Sequence, residues 1–194
     1  MKMETTAEWD ALYQSSDPVP AAKVLVDNLH LLPAKGNALD LACGLAENGL
    51  LLAKNNLAVD AWDNSPVAIE RVNKTAKKSG LAVNAQVKDV MTANIAVEFY
   101  DVIILTHFLE KSISQAVING LKPGGLLFFQ SYTRECVDDV GPENEIFRLK
   151  RNELLSLFPG LSIVVYSELG LIGDLKKGLR NEALLIGKKI SRHL

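Results

Sequence analysis

Asn37-Ala38-Leu39-Asp40-Leu41-Ala42-Cys43-Gly44-Leu45-Ala46-Glu47-Asn48-Gly49 reads as a short buried strand, a tight loop of small residues and the start of a helix. Ala38, Leu39 and Leu41 form the apolar run expected of a strand covered on both faces. Ala42, Gly44 and Ala46 keep side chains small where the backbone must turn and a ligand must come close. Open α/β sheets hold nucleotide-like ligands at such a strand-loop-helix unit. The dinucleotide fingerprint needs three glycines spaced G-x-G-x-x-G, and with only Gly44 and Gly49 present that pattern fails. Asp40 at the strand's end would repel a pyrophosphate but suits an ammonium or a sulfonium.

A second unit lies downstream. Leu57 to Trp62 alternates as a strand and ends in Asp63-Asn64-Ser65-Pro66. Ser65 fits an N-cap and Pro66 the first helical position. The helix that follows carries Ala68, Val72 and Ala76 at a spacing of four, and its lysines, Lys74, Lys77 and Lys78, read as a solvated face. Asp63 lies 19 residues beyond Gly44. A carboxylate at about that distance from the glycine loop binds ribose hydroxyls in α/β nucleotide folds. The alternative is a strand-end aspartate that caps the next helix, a task Ser65 and Pro66 already fulfil.

Ala38 to Gly44 resembles the first motif of class I S-adenosylmethionine-dependent methyltransferases, usually D-x-G-x-G-x-G. Asn48 and Trp62-Asp63-Asn64 make the chain most similar to the tellurite-resistance and small-molecule branch of that superfamily. The resemblance runs from about Trp9 to the last strand. It implies a Rossmann-like α/β fold: a mostly parallel seven-stranded sheet, helices on both faces and a C-terminal antiparallel hairpin. It also implies S-adenosylmethionine as cofactor. Ala42 and Ala46 stand where glycines are usual, and alanine costs on the order of 1 kcal/mol wherever φ must be positive.

The remaining elements follow in order. Trp9 and Tyr13, four apart, share one face of a helix over residues 1–16. That helix either simply covers the sheet or, as the resemblance implies, forms a lid that brings Tyr13 to the cofactor. After Asp17-Pro18-Val19-Pro20, residues 20–32 fit a helix with Val24, Leu25, Leu29 and Leu32 on one side, ended by Pro33 and Gly36. The helix from Ala46 to Asn55 turns its N-terminus, with free N–H groups, toward the loop, where a ligand carboxylate can bind. Ala82 to Val87 is the third strand. By the resemblance, Asp89 and Val90 after it meet the adenine, although a strand-end aspartate is also common turn chemistry.

Tyr100 to Leu105 is a nearly continuous apolar run, hence a central strand, ending in Thr106-His107-Phe108. The N-P-P-[FY] sequence typical there of methyltransferases acting on amide or adenine nitrogens is missing. Lys111 to Leu121 reads as a helix, Lys122-Pro123-Gly124-Gly125 as a turn, and Leu126 to Ser131 as the fifth strand. Residues 133–150 form a long polar loop, functional or mobile. Arg151 to Phe158 is a short helix, and Leu161 to Leu169 and Arg180 to Lys188 are the last strands.

Composition bounds the function. The 194 residues suit one domain, divided into a helical lid (1–33) and a Rossmann-like core (34–194), and 48% hydrophobic content supplies a sizeable core. A net charge of −2 with no basic block gives no electrostatic case for nucleic acid. Two cysteines are too few for a disulfide framework, Met1 to Asp10 lacks a signal-peptide core, and no apolar run nears the roughly 18 residues of a membrane span. The expectation is a soluble cytoplasmic protein without membrane partners, its oligomeric state open.

Methyl transfer from a sulfonium needs orientation more than activation, so the absence of a catalytic triad or metal-ligand cluster is no objection. The cofactor candidates are Tyr13, Asp40, Ala42, Gly44, Asn48, Asp63, Asn64, Asp89, Val90 and Thr106. On the substrate side, His107 follows the central strand, and Arg134 and Arg148 have the chemistry to clamp an oxyanion. Cys43 reads as a small buried loop residue rather than a reactive thiolate. Three functions fit: a small-molecule methyltransferase, a cofactor-binding module without catalysis, and, disfavoured by Asp40 and the missing glycines, a nicotinamide-dependent oxidoreductase.

Overall fold

The computed structural model describes residues 5–190, so residues 1–4 of the expected first helix lie outside the described residues. Its centre is a seven-stranded sheet in the order β3-β2-β1-β4-β5-β7-β6. The strands are β1 (Gly36–Leu41), β2 (Leu57–Asp63), β3 (Val83–Val87), β4 (Tyr100–Thr106), β5 (Leu121–Tyr132), β6 (Leu161–Glu168) and β7 (Glu182–Lys189). β1 to β5 pair in parallel, whereas β7 runs antiparallel to both of its neighbours, β5 and β6. Strand order reverses between β1 and β4, and a ligand crevice opens at the carboxyl ends of such strands.

Among the described residues the α-helices are α1 (Thr6–Ser15), α2 (Lys23–Val26), α3 (Glu47–Lys54), α4 (Pro66–Ser79), α5 (Ser114–Gly120) and α6 (Leu154–Leu157). Period-two alternation sorts the core. Ala38, Val102, Ile104, Phe128 and Ile186 pack with α2 (Val24, Leu25) and α3 (Leu52, Ala53). Leu39, Leu41, Ile103, Leu105, Leu127 and Phe129 face the other way, onto α5 (Val117, Ile118) and α6 (Leu154). Small residues, Ala61 on β2 and Ala85 on β3, receive Ile69 and Val72 of α4. Each large aliphatic chain so enclosed contributes about 1.5–3 kcal/mol of transfer free energy.

Local signals explain where most elements begin. Ser65 accepts from the Ala68 N–H at 3.1 Å and Pro66 follows at the first helical position, as the sequence predicts for α4. Three expectations need correction. Residues 20–32 hold only α2 and a 3-10 turn at Leu29–Leu31 rather than one helix. Here the N–H groups of Ala22 and Val24 are taken by the side chains of Asn48 and Gln130, and Asn28 donates to the Val24 carbonyl. The Lys122–Gly125 turn is a bulge inside β5: register jumps from Tyr100↔Leu121 to Val102↔Leu126, with Gly124 at φ 82°. The helix expected over 151–158 shortens to four residues.

Candidate functional site

The ends of β1, β2 and β3 carry the three aspartates, and they differ in how they are set. Asp40 lies one rung inside the sheet, opposite Ala61, and is 1% exposed. Its Oδ2 accepts from the Gly49 N–H at 2.8 Å, so the carboxyl braces α3 from below. Burial, and then the charge of Asp63, push its pKa up to about 8 against the pull of the Gly49 amide. Asp40 is therefore mostly a neutral acid at pH 7, enclosed rather than presented to an ammonium as the sequence suggests.

Asp63 is the hub. Its Oδ2 accepts from Gly44 N–H at 2.8 Å and its Oδ1 from Ser65 N–H at 2.9 Å. One carboxylate thus ties the small-residue loop to the end of β2. Burial raises its pKa, opposed by the amides of Ser65, Gly44 and Asn64. Asn64 beside it is exposed. The loop is left-handed at three positions: Ala42 sits at φ 51°, Gly44 at 52° and Ala46 at 55°, so the two alanines carry the cost that applies wherever φ must be positive. Ala46 is the N-cap of α3, a left-handed alanine without a capping side chain. Burial, with Asp40 and Asp63 nearby, pushes the Cys43 thiol far from its thiolate form.

The Trp9–Tyr13 face of α1 lies over this loop. Trp9 and Tyr13 stack with centroids 5.6 Å apart, and a Cβ added to Gly44 would stand 2.8 Å from the Tyr13 hydroxyl oxygen. Only glycine leaves that floor bare. Burial and the Asp63 charge raise the Tyr13 pKa, so the phenol keeps its proton. Two ties hold α1 against α4 that the sequence did not reveal: Asp10 accepts from the Ser65 hydroxyl, and Arg71 donates to the carbonyls of Tyr13 and Ser16. At the β3 end, Asp89 accepts from Met91 N–H at 2.9 Å in a local turn and is exposed, while Val90 is buried in the same core cluster as Trp62. Lys88 lies 3.7 Å from the centroid of the Trp62 ring, and its N–H donates to the Asp63 carbonyl, which joins the two strand ends.

The other half of the rim is built from side chains. Asn48 accepts from Ala22 N–H (2.8 Å) and donates to Thr106 Oγ1 (3.0 Å), linking the N-terminal segment, α3 and β4. His107 follows with φ 57°. Its Nε2 lies 2.9 Å from Glu182 Oε2, an oxygen that also accepts from Gln130 Nε2 at 2.6 Å. Gln130 in turn accepts from Val24 N–H at 2.7 Å. Glu182 and Gln130 were missed from sequence, although a glutamine directly after the apolar run Leu126 to Phe129, within the same strand, is a signal of a buried polar role. The polar loop of 133–150 is closed on itself. Arg148 donates to the carbonyls of Thr133, Val140 and Pro142, which turns it from an expected oxyanion clamp into a loop staple. Arg134 pairs with Glu145 at 3.3 Å.

These residues lie along the carboxyl ends of the parallel strands, with Tyr13 close over Gly44 and the buried Asp63 carboxyl beside it. The bare floor at Gly44, with Asp63 at its side, fits an adenosyl amino acid. The strand order, with β7 as the lone antiparallel strand, is the class I methyltransferase fold. Within that fold the chain belongs to the family described as tellurite resistance protein TehB, whose model matches residues 13–185. The crystal structure of TehB from Haemophilus influenzae shares the fold with a TM-score of 0.73 at 24% identity, over 94% of this chain and 67% of that one. The geranyl diphosphate C-methyltransferase of Streptomyces coelicolor A3(2), solved with Mg2+, geranyl-S-thiolodiphosphate and S-adenosyl-L-homocysteine, gives a TM-score of 0.69 at 13% identity, over 86% and 74% of the two chains. A curated relative, the carboxy-S-adenosyl-L-methionine synthase of Campylobacter curvus, is 29% identical over 108 residues. That match covers 51% of this chain and 45% of the relative, so the chain matches less than half of the relative's length. Among the described residues no helix is long and apolar enough to cross a membrane.

Proposed function

We propose that the chain is a single-domain methyltransferase that uses S-adenosylmethionine to methylate a small molecule by in-line transfer. The observation that carries this reading is the Asp63 carboxylate, bonded at once to the Gly44 loop and to the start of α4 beneath the Tyr13 lid. In this reading Asp63 and Asn64 hold the ribose, and Asp89 with the Val90 N–H reads the adenine edge. Ala42, Gly44 and the first turn of α3 receive the amino-acid end, whose carboxylate favours a helix N-terminus. Asp40 acts through Gly49, by fixing that turn. Tyr13 covers the cofactor, and Asn48 and Thr106 join its pocket to the acceptor side, where His107 and Arg134 lie.

S-adenosylmethionine supplies the electrophilic methyl group when bound. The chain's task is to align the acceptor and exclude water, which is worth about 7–11 kcal/mol of barrier where alignment is good. The family name supports an oxyanion such as tellurite as one acceptor class; thiols, amines and carboxylates are the others. A second reading, a binding module without turnover, draws on Ala42 and Ala46 at positive φ, where strain weakens the loop. Release of S-adenosylhomocysteine over a panel of tellurite, selenite, thiols, amines and carboxylates separates the two. Turnover above the no-acceptor control with at least one of them is the expected result; cofactor binding with no turnover on any favours the module.

A further inference from the structure

The His107–Glu182–Gln130 network has a form that a cofactor pocket does not require. Three strand ends distant in sequence, those of β4, β5 and β7, converge on one carboxylate oxygen. Gln130 is 3% exposed and fixed at both ends, by Val24 N–H and by Glu182. The His107 backbone is also held, its N–H donating to the Gln130 carbonyl at 2.8 Å. The imidazole leans on Tyr132, centroids 4.9 Å apart, and Tyr132 is backed by Gly141, where an added Cβ would lie 2.6 Å from the ring. The groups that touch the ring are held by these contacts, yet the His107 side chain is 38% exposed. With Nε2 committed to Glu182, the remaining nitrogen, Nδ1, is the one left to meet a ligand. The charged and titratable groups facing the ring are Glu182 from β7 and Tyr132 from β5, with Arg148 behind Tyr132 at 5.9 Å from that ring's centroid.

We propose that His107 is the base that deprotonates the methyl acceptor, that Glu182 and Gln130 position it, and that the acceptor is a neutral protic nucleophile, a thiol or hydroxyl, rather than an oxyanion that arrives already ionised. The inference rests on the methyltransferase reading above. The acceptor X–H gives its proton to Nδ1 while its lone pair forms the X–C bond. The S–C bond breaks with its electron pair returning to sulfur, and the His107 imidazolium, paired with Glu182, passes the proton to water. The step is redox-neutral and calls for no further reactant.

Two measurements on the full chain test it. In 15N-edited NMR of the imidazole nitrogens, the parent shows one tautomer at neutral pH, with the proton on Nε2, and Glu182→Ala shows a mixture while Glu182→Asp retains the parent pattern. A proton on Nδ1 in the parent, or no change in Glu182→Ala, overturns the proposal without any acceptor being known. In turnover, 2-mercaptoethanol or another protic acceptor is methylated with an acid limb in kcat. His107→Gln removes that limb and lowers kcat by about a hundredfold, with S-adenosylhomocysteine affinity by calorimetry unchanged. Methylation of selenite or tellurite alone, or a limb that survives in His107→Gln, contradicts it. Failure to bind S-adenosylhomocysteine at all defeats the methyltransferase reading instead.

Discussion

The two halves of the rim are held by different means. At the ends of β1 and β2, the carboxyl groups of Asp40 and Asp63 accept backbone N–H groups from Gly49, Gly44 and Ser65, nine, 19 and two residues away. At the ends of β4, β5 and β7, side chains bond to side chains or to the N-terminal segment across 52 to 106 residues. The first half is a local device in which a carboxylate fixes a loop whose shape its own small residues permit. The second is assembled only when the sheet is complete. A pocket for a shared cofactor can be written into one strand-loop-helix unit, whereas an acceptor site is composed from whatever side chains the sheet brings together.

The comparison breaks most sharply at Asp63. Asp63→Ala leaves the Gly44 and Ser65 amides without their acceptor and removes the proposed ribose partner. Calorimetry is expected to show S-adenosylhomocysteine binding weakened by about 1–3 kcal/mol, the usual loss of a charge-assisted bond. Unchanged affinity would mean that Asp63 serves the loop alone. Asp40 sharpens it through pH. Its carboxyl is pushed up to about 8 in the folded chain, against about 3.9 unfolded. Between those values the folded state keeps a proton that the unfolded state has released, so stability falls as pH rises through this window. Asp40→Asn removes that term. In urea melts its stability relative to the parent should climb with pH, by up to about 1.4 kcal/mol per unit between about pH 5 and 8. Parallel stability curves would show Asp40 to be ionised in the fold.

The smallest effect is expected at Ala46. A left-handed alanine costs about 1–2 kcal/mol, offset by roughly 0.5–1 kcal/mol of extra chain entropy lost by glycine. Ala46→Gly should therefore stabilise by about 0.5 kcal/mol in the same melts. A loss of stability would show that the enclosed Ala46 methyl, packed in the α4 face of the core, outweighs the strain.

How much was legible follows from the same contrast. The strands of the parallel sheet and the Gly44 loop were plain, because apolar runs and small residues act over a few positions. The Ser65-Pro66 start of α4 also follows from local chemistry, whereas the positive φ at Ala42 and Ala46 runs against alanine's own preference and had no local signal. Asp40 was placed at the right strand end but given the wrong exposure: the sequence cannot show that it sits one rung inside the sheet. The Lys122–Gly125 bulge looked like a turn because its glycine needs the same φ in either setting. The pairing of Gln130 with Glu182 was out of reach, since nothing near either residue names its partner, and Arg148 gave no sign that three carbonyls of its own loop would claim it.

The central claim is that the Gly44 floor, Asp63 and the Tyr13 lid form a pocket for S-adenosylmethionine. Titration of the purified chain with S-adenosylhomocysteine by calorimetry tests it most directly. The account predicts saturable one-to-one binding of micromolar affinity or better; no heat and no saturation with either S-adenosylhomocysteine or S-adenosylmethionine would contradict it.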